Sequence, residues 1–383
     1  MTVPVIIEAV RTPIGKMGGT LSYVRPEKLA SPLIQHLVEK FQLANETIDD
    51  VLLGNVVGPG GNLARLSALE AGLPFDVPGV TVDRQCGSGL EAIHMAARSI
   101  QAGAGDIYLA GGAESTSLAP WKFEKPASLY DQRGPKYYSR ARFSPESIGD
   151  PDMGVSAENV AEKYGITREQ QDEYALHSHL KAVHAQDHLH FEEEIVPIEN
   201  VTRDECPRRG TSLNKLAKLK PVFNQEGTVT AGNACPLNDG AALVLMMSLD
   251  KCRELGLTHL CRFVDAQTAG VDPHLLGIGP VPAVSKLLNR CNLTIQDVDT
   301  VEFNEAFASQ VLASLTELEI PLDKVNLSGG ALALGHPYGA SGAILVTRLV
   351  SEMKRHSFTR GIATMGIGGG MGIAGLFERI EEE

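Results

Sequence analysis

Cysteine is scarce in this chain: six residues in 383, scattered, with no CxxC pair. That excludes a disulfide scaffold and the common zinc and redox spacings. Cys86, Cys206, Cys235, Cys252, Cys261 and Cys291 read as free thiols in a reducing cytoplasm. Positive charge is also in deficit, Lys+Arg 34 against Asp+Glu 47, a net −13. Nucleic acids and anionic membranes are gripped mostly by Lys and Arg, so neither is expected as a partner. Aromatic residues are thin at 5%. No apolar run approaches the ~20 residues of a membrane span. The opening MTVPVIIEAVRTPIGK lacks a cationic segment followed by a long apolar core, so no secretory leader is expected. The ending Glu381-Glu382-Glu383 is no address signal. What is present is a globular balance, 43% hydrophobic and 21% charged, in a length suited to two or three domains or one large two-fold fold. Glycine is abundant at 39 residues, which implies many tight turns and close backbone approaches.

Strand and helix patterns alternate, which predicts an α/β fold. Val3–Val10, Val51–Val57, Val80–Val82 and Ile107–Ala110 read as strands, the last followed by Gly111-Gly112. Glu27–Phe41 carries Leu29, Leu33, Leu37 and Phe41 at helical spacing. Ser88–Ala102 reads as a helix stopped by Gly103. The C-terminal third repeats the grammar. Thr300–Phe303, Val325–Leu327 and Ile362–Met365 read as strands, Gly329–Gly339 as a Gly-rich loop, and Ala340–Met353 as a helix. Ile295–Val298 echoes Ile48–Val51, and Ala340-Ser-Gly echoes Gly87-Ser-Gly. This weak duplication, with a period of about 250 residues, predicts two similar halves with chemistry at their junction. The division expected is 1–115 plus 235–257, then 258–383. An insertion over 116–234 carries polar loops at Trp121–Pro145 and helices at Ser156–Tyr164 and Glu169–His184.

Cys86 is the sharpest chemical signal. A strand is expected to run into Gln85-Cys86-Gly-Ser-Gly89, where a helix begins. A thiol there would meet the positive end of the helix dipole, which lowers its pKa, and its own N–H could donate to an oxyanion. The ordinary alternative is a buried cysteine in a tight turn. His336 lies in the Gly-rich loop, fixed by Pro337, and is read as an imidazole at a strand's end able to take a thiol proton. The alternative is a structural histidine. Asn304 follows Thr300–Phe303, at the end of a strand, where open α/β sheets place ligands. Together they form a Cys–His pair with a polar orienter.

Gly366–Gly372 does not fit a dinucleotide loop, because Met371 occupies the third glycine's place. It reads equally as a hairpin or as a turn offering backbone N–H groups to an oxyanion. Pro207–Pro221 holds five cations and no acid, which suits a ligand with several phosphates or a solvated face. His177, His179, His184, His188 and His190 lack a third ligand at good spacing and read as a surface helix.

These motifs taken in order resemble the thiolases, the acyl-CoA C-acyltransferases. The likeness runs through Glu8–Gly15, Asp83–Gly89, Gly111–Ser115, Met153–Val160, Arg168–Asp172, Gly227–Ala234, Asn238–Ala241, Asn304–Phe307 and Gly335–Gly339. It implies the thiolase fold: two related βαβαβαββ halves forming a five-layered α-β-α-β-α core with an inserted loop domain. It also implies acyl-CoA thioesters, with coenzyme A as substrate or product and no permanently bound cofactor, in a homodimer or homotetramer of fatty acid metabolism. The resemblance makes Cys86 the acyl carrier and His336 its activator, which also helps hold the thioester oxyanion. Asn304 would hold a water in that site, and the N–H groups of Cys86 and Gly368 would form a second. The loop from Arg208 to Leu219 would carry coenzyme A, with Arg208 near its phosphates. Met153, Val222, Phe223, Ala231, Ala306 and Phe307 would line a pantetheine tunnel. Two positions depart from the family. Gly366 stands where thiolases have the second cysteine, which moves the α-proton. Cys235 stands where they usually have serine beside the pantetheine. General acid–base groups contribute roughly 10²–10⁴-fold, so the C–C bond step is expected to be impaired or altered. The alternatives are a non-Claisen acyltransferase or thioesterase, or a catalytically lapsed coenzyme A-binding protein.

Overall fold

The chain, a computed structural model describing residues 2–43, 48–126, 128, 130 and 133–380, is built on one mixed sheet and a small separate hairpin. The terminal Glu381–Glu383 lies outside the described residues. In chain order the strands are β1 (Pro4–Arg11), β2 (Gly15–Lys16), β3 (Asp50–Gly54), β4 (Gly79–Val82), β5 (Ile107–Ser115), β6 (Lys122–Glu124), β7 (Lys136–Tyr138), β8 (Asn238–Ser248), β9 (Cys261–Gly270), β10 (Thr300–Phe303), β11 (Arg360–Ile367) and β12 (Met371–Glu378). The helices are α1 (Pro26–Lys40), α2 (Leu63–Glu70), α3 (Ser88–Ala102), α4 (Met153–Tyr164), α5 (Arg168–Asp187), α6 (Leu213–Leu216), α7 (Leu249–Glu254), α8 (Pro280–Cys291), α9 (Ala308–Glu317), α10 (Ala331–Leu334) and α11 (Tyr338–His356).

The duplication is visible in strand order. The first half runs β4-β3-β5-β8-β1, and the second runs β10-β11-β12-β9, with Val325 bridged in parallel outside β10. Each half therefore has the order third, second, fourth, fifth, first. The halves join where β1 pairs antiparallel with β9 through Val5–Arg262 and Ile6–Cys261. Strand residues alternate between two cores, as a period of two requires. On β8, Ala241, Leu243, Leu245 and Met247 face α1 and α2, while Ala242, Val244 and Met246 face α3 and α11. Helices α8 and α9 cover the far side of the second half. The layers run helix, strand, helix, strand, helix, with α3 and α11 in the middle.

Local chemistry accounts for several element ends. Helix α3 spans the predicted residues and stops at Gly103, whose φ of +72° a side chain would resist. Helix α5 opens on a capping box between Thr167 and Gln170. Between β5 and β8 lie the β6–β7 hairpin and helices α4 to α6. This stretch is tied to β1 by Arg11, which donates to Asp204 at 2.7 and 2.9 Å and to Glu194 at 2.8 Å, all buried.

Four expectations need correction. Strand β3 ends at Gly54 rather than running on to Val57. Strand β5 does not stop at Ala110 but runs through both glycines to Ser115. Val325–Leu327 is not a strand. Asn326 turns into the left-handed region at φ +46°, and its side-chain amide replaces the missing ladder. It accepts from the Phe303 N–H at 2.8 Å and donates to the Phe303 carbonyl at 2.9 Å. The Gly329–Gly339 loop contains a helical turn, α10, so His336 lies between two helices rather than at a strand's end.

The glycines of β5 have a specific use. A Cβ on Gly112 would stand 1.9 Å from the Gly339 carbonyl oxygen. The same oxygen would be 2.6 Å from a Cβ on Gly54 and 2.7 Å from one on Gly89. Three glycines of the first half thus admit the backbone of the second half at the start of α11. Gly112→Ala should cost roughly 3 kcal/mol by overpacking, read as a fall in thermal midpoint. An unchanged midpoint would mean that this approach is not tight.

Candidate active site

Cys86 lies at the end of a strained turn, not at the helix terminus itself. Strand β4 stops at Val82, and α3 starts at Ser88 with Gly87 as its N-cap. Between them Gln85, not a glycine, sits at φ +47°. The turn is held by Ser88, whose hydroxyl accepts from the Arg84 N–H at 2.9 Å and donates to the Gln85 carbonyl at 2.5 Å. The residue as a whole is partly exposed, while its sulfur is desolvated. Its acidity departs from expectation. Burial of the sulfur pushes the thiol up to about 12, outweighing the N–H groups of Gly368 and of Cys86 itself, which favour the anion. At rest it is a neutral thiol.

His336 is an uncharged imidazole. Its side chain is buried, and burial alone pulls it down to about 4, so the ring is neutral. Ser341 donates its hydroxyl proton to the Pro337 carbonyl at 3.1 Å and stands 2.6 Å from His336 Nδ1. With its own proton so committed, Ser341 accepts from Nδ1–H. The lone pair then belongs to Nε2, which faces the Asn304 side-chain amide at 3.5 Å. Asn304 is fixed at the end of β10 by donating its backbone N–H to the Thr364 carbonyl at 3.0 Å. The Tyr338 ring packs edge-on against His336 at 5.1 Å and lies in the field of both Cys86 and Cys235.

The histidine turn belongs to the second half but is held by the first. The His336 N–H donates to Asn238 Oδ1 at 2.8 Å, and the Gly339 N–H donates to Glu114 at 3.0 Å. Glu114 also accepts from Asn55 at 2.8 Å and from the Val56 and Val57 N–H groups at 2.9 and 3.2 Å. Burial nonetheless pushes its carboxyl up to about 7. With the glycine cradle, these contacts seat the histidine turn of the second half against the first half. Ser341, Asn238, Tyr338 and Glu114 were not singled out from sequence as site residues. Ser341 lay within a helix-opening motif, and only its position four residues after Pro337 could have flagged it.

The Gly-rich segment near the C-terminus is a hairpin turn. Strand β11 continues through Gly366 to Ile367, so the turn is Gly368–Gly370, with Gly369 and Gly370 at φ +87° and +80°. It closes the β11–β12 hairpin and turns the Gly368 N–H toward Cys86.

The expected tunnel residues fall partly together. Met153 and Ala306 pack on the buried cluster of Ala157, Val229 and Phe307. Phe223 meets Phe307 edge-on at 6.1 Å and covers Gly154. Val222 and Phe223 remain 57% and 42% exposed, an apolar strip open to solvent. Cys235 donates its N–H to the Ala306 carbonyl at 2.9 Å. Leu219 packs on Gly232 beside Leu216, and Ala231 is exposed. Arg208 is exposed, with its backbone N–H on His179 at 3.3 Å, whereas Arg209 is paired with Asp187. The rings of His184 and His188 meet tilted, with centroids 3.9 Å apart, and among the described residues no group of three or more His, Cys, Asp or Glu could hold a metal. No helix of the described residues is long and apolar enough to cross a membrane.

Comparison with known proteins agrees with this architecture. The model of the thiolase N-terminal domain matches residues 4–250, and that of the thiolase C-terminal domain matches residues 257–379. A protein named "Putative acetyl-CoA C-acetyltransferase VraB", from Staphylococcus epidermidis, is 52% identical, covering 99% of each chain. One of the same name from Staphylococcus aureus is 51% identical, covering 99% of this chain and all of its own. The crystal structure of the Bacillus anthracis acetyl-CoA acetyltransferase superposes with a TM-score of 0.93 at 41% identity, covering 99% of each chain. Matched over both halves and over the full length of its relatives, the chain belongs to the thiolase family and is an acyltransferase.

Proposed function

We propose that the protein is an acetyl-CoA acetyltransferase-like thiolase that carries its acyl group as a thioester on Cys86. The observation that carries this reading is the His336 ring, kept neutral by burial, with Nδ1 on Ser341 and Nε2 beside the Asn304 amide. In the reaction Nε2 takes the Cys86 proton, and the sulfur anion adds to the thioester carbonyl of the substrate. The N–H groups of Cys86 and Gly368 stabilise negative charge there. The departing coenzyme A thiolate recovers the proton from the imidazolium. Asn304 places its amide beside Nε2, where it would hold a water for the other carbonyl oxygen. Residues 116–234 form the coenzyme A-binding loop domain in this reading. Arg208 meets the phosphates, and Leu219, Val222, Phe223, Ala231, Met153, Ala306 and Phe307 border the pantetheine. The same reading makes the protein a cytoplasmic homodimer or homotetramer of fatty acid metabolism, with no metal or permanent cofactor.

One residue favours a second reading. Gly366 has no side chain with which to move an α-proton, which would suit acyl transfer to a thiol or to water without C–C chemistry. Intact mass after incubation with acetyl-CoA or acetoacetyl-CoA tests both. An acetyl adduct on wild type, absent from Cys86→Ala, is expected. No adduct on wild type would remove the acyl-enzyme reading. An adduct without C–C bond cleavage or formation would favour the second.

A further inference from the structure

We infer that Cys235 is the catalytic acid–base that moves the α-proton in this protein. The inference rests on the acyl-Cys86 reading and goes beyond it.

The need is chemical. Breaking the C2–C3 bond of a 3-oxoacyl thioester leaves an electron pair on C2, and C2 must then be protonated. The reverse reaction must remove that proton. Cys86 and His336 are engaged with the acyl group, and Gly366 offers nothing. Glu305 and Glu114, which brace the turns of Asn304 and His336, are committed. Glu305 accepts from Tyr174 at 2.9 Å, Asn326 at 2.7 Å, Ser178 at 2.7 Å and the Leu332 N–H at 3.1 Å. Glu114 is filled by Asn55, Val56, Val57 and Gly339. Tyr338 is a weaker acid than an ordinary phenol, since burial and both neighbouring sulfurs oppose its ionisation.

Cys235 carries a proton it can give, and the fold puts it in the field of Cys86 and Tyr338. Its segment is bridged on one side, Ala234 to Phe307, and on the other, Leu237 to His336. Its own N–H is pinned to the Ala306 carbonyl. The thiol therefore stands between the turn that carries Asn304 and the turn that carries His336. It is partly exposed, like Cys86, and the two sulfurs lie in each other's electrostatic field. Burial keeps it protonated at rest, the state an acid needs.

In cleavage, the Cys86 sulfur anion adds to C3, its proton having passed to His336. The C2–C3 bond breaks, and its electron pair goes to C2. C2 takes the proton of the Cys235 S–H, releasing the shortened thioester, acetyl-CoA, and leaving a Cys235 thiolate. That thiolate takes the proton of the incoming coenzyme A thiol, whose sulfur attacks the acyl-Cys86 carbonyl. The Cys86 sulfur leaves and recovers its proton from His336. Acetoacetyl-CoA plus coenzyme A becomes two acetyl-CoA, with both thiols restored.

The test compares wild type, Cys235→Ala and Cys235→Ser on three readouts: the acetyl adduct by intact mass, deuterium entry into the acetyl-CoA methyl group in D2O, and thiolysis of acetoacetyl-CoA. Both variants should still show the Cys86 adduct, with acylation reduced less than tenfold. Deuterium entry and thiolysis should fall roughly 10²-fold or more. Deuterium exchange within threefold of wild type in either variant would overturn the inference. So would a wild-type adduct with no exchange at all. No adduct on wild type would overturn the acyl-Cys86 reading itself, and this inference with it. Circular dichroism and a thermal melt of each variant separate loss of chemistry from loss of fold, and the serine variant keeps the steric fit should alanine loosen the segment.

Discussion

In a Cys235→Ala background, Gly366→Cys should raise thiolysis of acetoacetyl-CoA by roughly 10²–10⁴-fold, the usual worth of a general acid–base. The structure admits the side chain. A Cβ at 366 would meet the Leu276 carbonyl oxygen at 3.4 Å, Gln310 Nε2 at 3.5 Å and Gly277 Cα at 3.5 Å, all ordinary contacts. The backbone there is regular strand, paired with Gly372 across the hairpin. The position lies two residues before Gly368, whose N–H faces Cys86, so a thiol placed there would border the same reaction centre. The double substitution matters because it removes the group already inferred to act. In the wild-type background the gain should be smaller, since Cys235 already supplies the proton. Thiolysis rates and intact mass decide it. A folded double variant that acylates Cys86 but gains no thiolysis would show that the space at 366 does not reach the α-carbon.

Much of this site was legible in the residue order, but only as a set of parts. Helix α3 was readable because its stop, Gly103, is a local signal. Asn304 was placed because β10 ends just before it. The two-half architecture followed from the echo between Gly87-Ser-Gly and Ala340-Ser-Gly, and those segments do meet: a Cβ on Gly342 would stand 2.2 Å from the Leu90 nitrogen. The Cys86 acidity was not legible. The dipole argument is local, whereas desolvation is a sum over everything packed nearby, and here it dominates. Gly111 and Gly112 were read as a strand's end because glycine usually punctuates. Their reason for being in the strand is the Ala242 carbonyl oxygen on one side and that of Gly339 on the other, contacts made across 130 or more positions of chain. Glu114 acts on the histidine turn through such a contact too, whereas Ser341 reaches it from only four and five residues away, within a motif that read as a helix opening.

The second large effect concerns His336. His336→Ala should slow acetylation of Cys86 by roughly 10²–10⁴-fold, because a thiol pushed up to about 12 supplies almost no anion at neutral pH by itself. The pH dependence distinguishes a base from a structural histidine. An ordinary imidazole titrates near 6.5, and a base of that strength would halve the rate there. His336 is pulled down to about 4, because burial disfavours its charged form. A lowered value extends the neutral, proton-accepting form to lower pH, so acetylation should stay level from pH 8 to 5.5 and fall only as the pH approaches 4. In His336→Ala the residual rate should instead rise tenfold per pH unit, following the thiolate of Cys86 alone. Rates of adduct formation by rapid quench and intact mass, measured in buffers from pH 4.5 to 9, give both curves. A wild-type profile that already falls by half at pH 6.5 would mean that the imidazole is better solvated than its packing against Ser341 and Tyr338 implies. A wild-type slope of one throughout would mean that His336 takes no proton from the thiol, and the acyl-transfer chemistry would then need another base.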